Sequence, residues 1–267
     1  MHRRRRADEG GQRLFHPSVD RDRMMAPRSS LALSIFAALW LAGPLHAQDR
    51  PAPPETQAGE LVYAKGFVHR LYRPEAPDGR VFVLLHGSGG DETTLVGLAR
   101  KIDPAATLVG IRGRLVQNGV TRWYRRLSPT EFDQKDVRAE AAAFVAFLAA
   151  LARDNGLDAA NATFLGYSNG ANLIAALSVL HPGVVRRAVL LRAMPVLADA
   201  PSADLSRTRF LTISGERDKL YFPFASRLAS LLADRGAMVE SRVVPSGHGI
   251  GDEDATIAAQ WLAEAAN

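Results

Sequence analysis

The chain contains no cysteine. That excludes disulfides, a thiol nucleophile, thiolate metal sites and a lipid-modified N-terminal cysteine. It also lacks an uncharged apolar run of the roughly 20 residues needed to cross a bilayer. What it has instead is a shorter run at residues 31–41, preceded by Arg28 and followed by "AGPLHA" ending at Ala47. Basic flank, short apolar centre and small residues at a cut site are the layout of a secretory signal, although Leu45 is larger than the ideal residue at its position. Residues 1–47 are therefore expected to be a signal peptide, with residues 1–23 an over-long start ahead of Met24 and Met25. Residues 48–60, "QDRPAPPETQAGE", read as a flexible leader, and residues 61–267 as one folded domain. The expected destination is the periplasm or the outside of the cell, with no stable membrane anchor after cleavage.

Excess charge is also missing once the leader is set aside. Residues 1–30 hold eight arginines and four acids and residues 31–47 hold none, so only +1 of the formal net charge of +5 belongs to the rest. No general attraction to nucleic acid or anionic lipid follows from that. Histidine is scarce too, with seven in the chain and four beyond residue 47.

What is present is an alternation of short apolar runs with longer helical patterns. "VFVLLHG", "TLVGIRG", "ATFLGYS", "RRAVLLRA", "RFLTISG" and "VESRVVPSG" read as strands. "LVYAKGFVHRLYRP" adds one or two more, joined at Gly66. Between them, "DETTLVGLARKI", "DVRAEAAAFVAFLAALARDNG", "NLIAALSVLHPG", "PFASRLASLLADRG" and "DEDATIAAQWLAEAAN" read as helices. Continuous Val/Leu/Ile runs with crossover helices predict a doubly wound, mostly parallel sheet with helices on both faces. Reacting groups in such a sheet belong at the carboxyl ends of the strands.

Gly166-Tyr167-Ser168-Asn169-Gly170 fits G-x-S-x-G and lies between an apolar run and a helical one. The glycines leave room for a sharp strand-to-helix turn that lifts the serine above the sheet, at a helix N-terminus where developing negative charge is favoured. The plainer reading is a Gly-Ser turn with Ser168 as a helix cap. A serine hydroxyl needs a base. His181 precedes Pro182 and reads as a helix stop, His69 reads as a solvent-facing strand residue, and His86 as a structural hydrogen-bonding residue. His248, between Gly247 and Gly249 after the last strand, is the expected base. The acid that would orient it comes from "SGERDKLYF", where Asp218 is favoured and Glu216 is the fallback. The order Ser168, Asp218, His248 is the Ser–acid–His order of α/β-hydrolases. "LLHGSGG" follows the first long strand, and the amides of Ser88 and Asn169 are the expected oxyanion donors. A phosphate-binding loop is the rival reading of that stretch, but no G-K-[ST] follows it.

With "LLHGSGGDE", "GYSNGAN", "GERD" and "GHG" in place, the chain resembles the phospholipase/carboxylesterase branch of the α/β-hydrolase superfamily, which includes acyl-protein thioesterase-like enzymes. The resemblance runs from about residue 81 to the C-terminus, and "IRGRLVQNGVTRWYRRLSPTEFD" is similar to the family's segment carrying Arg-Gly and an aromatic pair. It is especially similar to small bacterial hydrolases linked with quinone tolerance, from which the export signal sets it apart. The resemblance implies an α/β-hydrolase fold with little or no cap domain, acting on a small-molecule carboxylic ester through Ser168, Asp218 and His248, with Ser88 and Asn169 as oxyanion donors. No metal or organic cofactor is needed for that chemistry. Trp123, Tyr124 and Tyr167 are candidate pocket walls and Arg122 a candidate attractor of anionic substrate, with Arg125 and Arg126 beside it. Two other readings use the same residues: a peptidase or polyester depolymerase with the same triad, and a non-catalytic binding protein that kept the fold.

Overall fold

The computed structural model describes residues 59–264; the expected signal peptide and most of the leader lie outside the described residues. Among the described residues, ten strands and five α-helices follow one another in the expected alternation. Strands β1 (Val62–Ala64) and β2 (Phe67–Tyr72) form an antiparallel hairpin turned at Lys65 and Gly66, both at positive φ. After β3 (Val81–Leu85) come α1 (Val96–Ile102) and β4 (Thr107–Arg112). A small hairpin of β5 (Leu115–Gln117) and β6 (Val120–Arg122) then stands apart from the main sheet. The rest is α2 (Gln134–Asn155), β7 (Thr163–Tyr167), α3 (Asn169–Leu180), β8 (Arg187–Leu191), β9 (Arg209–Gly215), α4 (Ala225–Ala233), β10 (Met238–Val244) and α5 (Asp252–Glu264).

The eight-stranded sheet has the order β1-β2-β4-β3-β7-β8-β9-β10. Every pair from β4 through β10 is parallel, and only β1 and β2 run against their neighbours. All five residues of β3 are buried because both faces of the sheet are covered. Val81, Val83 and Leu85 face one core with α2, α3 and α4, while Phe82 and Leu84 face the other with α1 and α5. The period of two along a pleated strand makes this division. It also corrects the reading of His69. Two residues after Phe67, it shares that residue's inward face, is 3% exposed and meets the Phe147 ring edge-on at 5.3 Å. Burial therefore holds its pKa below the usual range.

Local chemistry sets the helix ends. The Asp133 carboxylate accepts the amides of Lys135 and Asp136 to cap α2, and Gly156 ends that helix in the left-handed region at φ 63°. Helix α3 is buried almost along its whole length, wedged under the sheet where the sequence is apolar all round. No connection among the described residues is long enough to form a separate cap over the strand ends.

Candidate active site

Three strands end at one place. β7 runs into Ser168, whose backbone sits at φ 50°, ψ −112°, a conformation that a residue with a β-carbon adopts only under constraint. The constraint is visible in its neighbours. A β-carbon on Gly166 would lie 2.6 Å from Ala171 Cα, and one on Gly170 would lie 2.2 Å from the Leu85 carbonyl oxygen. Both positions thus need glycine so that α3 can pack directly beneath β3 and β7. The Ser168 amide donates to Leu191 O on the next strand, and its carbonyl accepts from Asn172 to start the helix.

The loop after β9 brings up Asp218, and the loop after β10 brings up His248. His248 Nε2 lies 2.9 Å from Ser168 Oγ, and His248 Nδ1 lies 2.5 Å from Asp218 Oδ2. The other carboxylate oxygen, Asp218 Oδ1, accepts the amides of Leu220 and Tyr221. The carboxylate is thereby held edge-on to the ring and is nearly fully buried, while the His248 side chain remains 39% exposed toward the cleft. Glu216, the alternative acid, is exposed and is not in the cleft lining. With the Nδ1 proton directed at a carboxylate, Nε2 is left to accept from the serine hydroxyl, which is the arrangement that lets a ring take a proton as the oxygen attacks.

A cleft of about 400 Å³ opens over these groups, lined by Ser88, Arg126, Tyr167, Ser168, Asp218, Leu220, Tyr221 and His248. Tyr167 lies on its wall, with its hydroxyl donating to His248 O at 3.1 Å. Tyr221 stands edge-on to the His248 ring at 4.7 Å. The backbone amides of Ser88 and Asn169 donate to no other group among the described residues, and each belongs to a residue beside or lining the Ser168 hydroxyl.

Two expected pocket residues are elsewhere. Trp123 and Tyr124 are fully buried and belong to the core, not to the cleft wall. Trp123 packs against Phe67, Phe144 and His86. A buried indole needs a partner for its N–H, and Trp123 Nε1 finds His86 O at 2.8 Å. Its backbone amide donates to Asn169 Oδ1 at 2.8 Å, and the Tyr124 hydroxyl approaches Asn169 O. Arg122 is not spread into the cleft either: its Nη1 donates to Ser88 Oγ at 2.7 Å. Together with Gly89 N donating to Thr121 O, these bonds show what residues 121–124 do. They tie the loop that carries Ser88 to the turn that carries Asn169. His86 plays the bonding role expected of it: Gly113 N–H donates to its Nε2 at 2.9 Å, and its Nδ1 lies 2.6 Å from Gly87 O. Protonating Nε2 would remove that acceptor, and burial holds the ring's pKa below the usual histidine range.

Arg192 is the residue that motif reading missed. It follows β8 at φ 53° and is 1% exposed. Its guanidinium pairs with the buried Asp254 of α5, Nη1 to Oδ1 at 2.7 Å and Nη2 to Oδ2 at 3.0 Å. The three remaining N–H groups lie within bonding distance of four acceptors, Gly247 O, Gly249 O, Ser246 Oγ and Ile213 O, so one Nη2 hydrogen is shared. The carbonyls on both sides of His248 are thus held by one side chain. The planar five-donor fork of arginine suits that task and a lysine ammonium does not.

Fold and site together define an α/β-hydrolase with an uncovered strand-end cleft. No protein-family model matches the chain, but individual proteins do. It is 33% identical over 186 residues, 69% of this chain and 93% of the other, to the Bacillus subtilis (strain 168) protein named "Putative hydrolase MhqD". A carboxylesterase from Mesorhizobium loti superposes with a TM-score of 0.74 at 52% identity, over 76% of this chain and 98% of that one. The Bacillus cereus carboxylesterase gives 0.72 at 28% identity, over 74% and 94%. The chain belongs to the phospholipase/carboxylesterase family of α/β-hydrolases and is a carboxylesterase-type hydrolase.

Proposed function

We propose that the protein is an exported serine esterase that cleaves small carboxylic esters through an acyl-enzyme. The observation that carries this reading is the series Ser168 Oγ, His248 Nε2, His248 Nδ1 and Asp218 Oδ2, joined at 2.9 and 2.5 Å. As Ser168 Oγ attacks the ester carbonyl, its proton passes to His248 Nε2, and the Asp218 carboxylate stabilises the imidazolium. The carbonyl oxygen becomes an oxyanion held by the Ser88 and Asn169 amides, aided by the N-terminus of α3. Collapse of the tetrahedral adduct expels the alcohol, which takes the proton from His248. Water then gives its proton to the same nitrogen as it attacks the acyl-serine, and collapse of the second adduct releases the acid while His248 returns that proton to Ser168 Oγ.

The uncovered cleft of about 400 Å³ supports a small substrate rather than a polymer, and the carboxylesterase relatives support the ester bond as the target. Export rests on residues 1–47 alone, which lie outside the described residues. The test is labelling with a fluorophosphonate probe beside turnover of p-nitrophenyl esters of increasing acyl length. Ser168→Ala, folded by circular dichroism, is expected to lose labelling and to lose at least about 10⁴-fold in kcat. Undiminished turnover in that variant would end the reading.

A further inference from the structure

We propose that the natural substrate is an anionic ester, one that carries a carboxylate or a similar oxyanion held by Arg126 at the cleft wall with Arg122 behind it. The proposal rests on the serine esterase reading above and adds the chemical class of the substrate. Arg126 is the arginine in the cleft lining, which it shares with Ser168 and His248. Its side chain is fixed by the protein rather than spread into solvent. Nε donates to Ser128 O at 2.9 Å and Nη2 to Pro129 O. Its backbone is bracketed by the Gln117 amide, which accepts from Arg126 N at 3.0 Å and donates to Arg126 O at 2.8 Å. A guanidinium held this way loses little conformational entropy when a ligand docks.

A second guanidinium adds to the positive field. Arg122 bonds Ser88 Oγ on the same cleft, and its Nε is buried with no hydrogen-bond partner among the described residues. Among the described residues neither arginine forms an ion pair with a carboxylate. Arg122 feels its setting: burial first and the Arg126 charge second draw its pKa down from the usual arginine value. The one carboxylate in the cleft lining, Asp218, is committed to His248 and to two backbone amides. Two like charges beside one cleft, neither in direct contact with a carboxylate, are a cost that an anionic ligand lowers. The remaining lining, Leu220, Tyr167 and Tyr221, is apolar or aromatic, so it would hold the uncharged part of such a molecule.

The anion can sit on the acyl or on the alcohol half of the ester, and matched pairs separate the two. The acyl pair is mono-p-nitrophenyl adipate against p-nitrophenyl hexanoate. The alcohol pair is para-acetoxybenzoate against para-acetoxybenzamide. In at least one pair the anionic ester is expected to show about tenfold or more higher kcat/KM at low salt, a factor equal to about 1.4 kcal/mol. The ratio should shrink in molar salt, where the Debye length is only about 3 Å. It should fall toward one in Arg126→Gln and be partly kept in Arg126→Lys. Turnover of the neutral esters with no anion preference in either pair, or a ratio that Arg126→Gln leaves intact, overturns the proposal and leaves the esterase reading standing. Binding of para-acetoxybenzoate to Ser168→Ala by calorimetry, lost in Ser168→Ala/Arg126→Gln, tests the anion site without any turnover. Absence of that binding counts against the site even if hydrolysis itself fails.

Discussion

Replacing Arg192 by methionine is the perturbation that bears most directly on how the site is held together. The change leaves the Asp254 carboxylate, 3% exposed, without its cation. It also strips donors from Ile213 O, Gly247 O, Gly249 O and Ser246 Oγ. Breaking one side of a buried pair costs about 3–5 kcal/mol, a large part of the roughly 5–15 kcal/mol that holds a domain folded. Arg192→Met alone is therefore expected to lower Tm steeply. The informative variant is Arg192→Met/Asp254→Leu, which removes both charges. Replacing a whole buried pair by apolar groups is often near neutral, so most of the lost stability should return. The carbonyls flanking His248 remain unanchored, however, and a catalytic group displaced by about 1 Å can cost about 10²-fold. Urea unfolding and steady-state kinetics on one short-chain ester measure the two effects separately: stability near wild type, kcat down by about 10- to 100-fold, KM changed much less. A double variant that recovers stability and full kcat together would refute the argument, because Arg192 would then be a structural ion pair with no part in positioning His248.

Other consequences follow from the same structure. Gly170→Ala places a β-carbon 2.2 Å from Leu85 O. Backbone cannot yield there, so chemical denaturation should show a loss of about 2 kcal/mol or more. Trp123→Phe removes the bond to His86 O and is expected to cost about 1–3 kcal/mol, with kcat falling evenly across p-nitrophenyl esters of all acyl lengths. A length-dependent KM would instead return Trp123 to the pocket wall. Stability should also fall on the acid side. Burial depresses the pKa of both His69 and His86 below 6.5, so below about pH 6.5 the unfolded chain takes up protons that the folded chain refuses. Stability is full above that pH and is lost as pH drops through it, by at most about 1.4 kcal/mol per ring per pH unit. Thermal melts between about pH 7.5 and 5.5 read this slope, and His69→Leu is expected to reduce it.

The order of elements was legible because each rests on short-range chemistry. Apolar runs such as "VFVLL" and "TFLGY" became β3 and β7, and Asp133 and Gly156 close the ends of α2 by capping that involves only neighbours in the chain. The same holds for the strand-to-helix turn at Ser168, whose flanking glycines announce close packing before any partner is known. Alternation along β2 was also present, yet His69 was assigned to the wrong face, because a two-fold period says which residues share a side and not which side is covered. The hairpin of β5 and β6 carries a local mark as well, the Asn118-Gly119 turn with both residues at positive φ, which a search for long apolar runs does not register.

The sequence favours Asp218 over Glu216 as the acid, but only tertiary structure shows how it meets His248. The Asp218 carboxylate is held by the amides of Leu220 and Tyr221, a contact that no pattern within "GERD" foretells. Tertiary structure also moved Trp123 and Tyr124 from an expected pocket wall into the core, and gave Arg192 its hold on residues 246–249. Those facts depend on what stands opposite a side chain across a strand order that places β8 between β7 and β9. Periodicity and capping act over a few residues, whereas burial and hydrogen bonding between loops far apart in the chain exist only after the sheet has assembled.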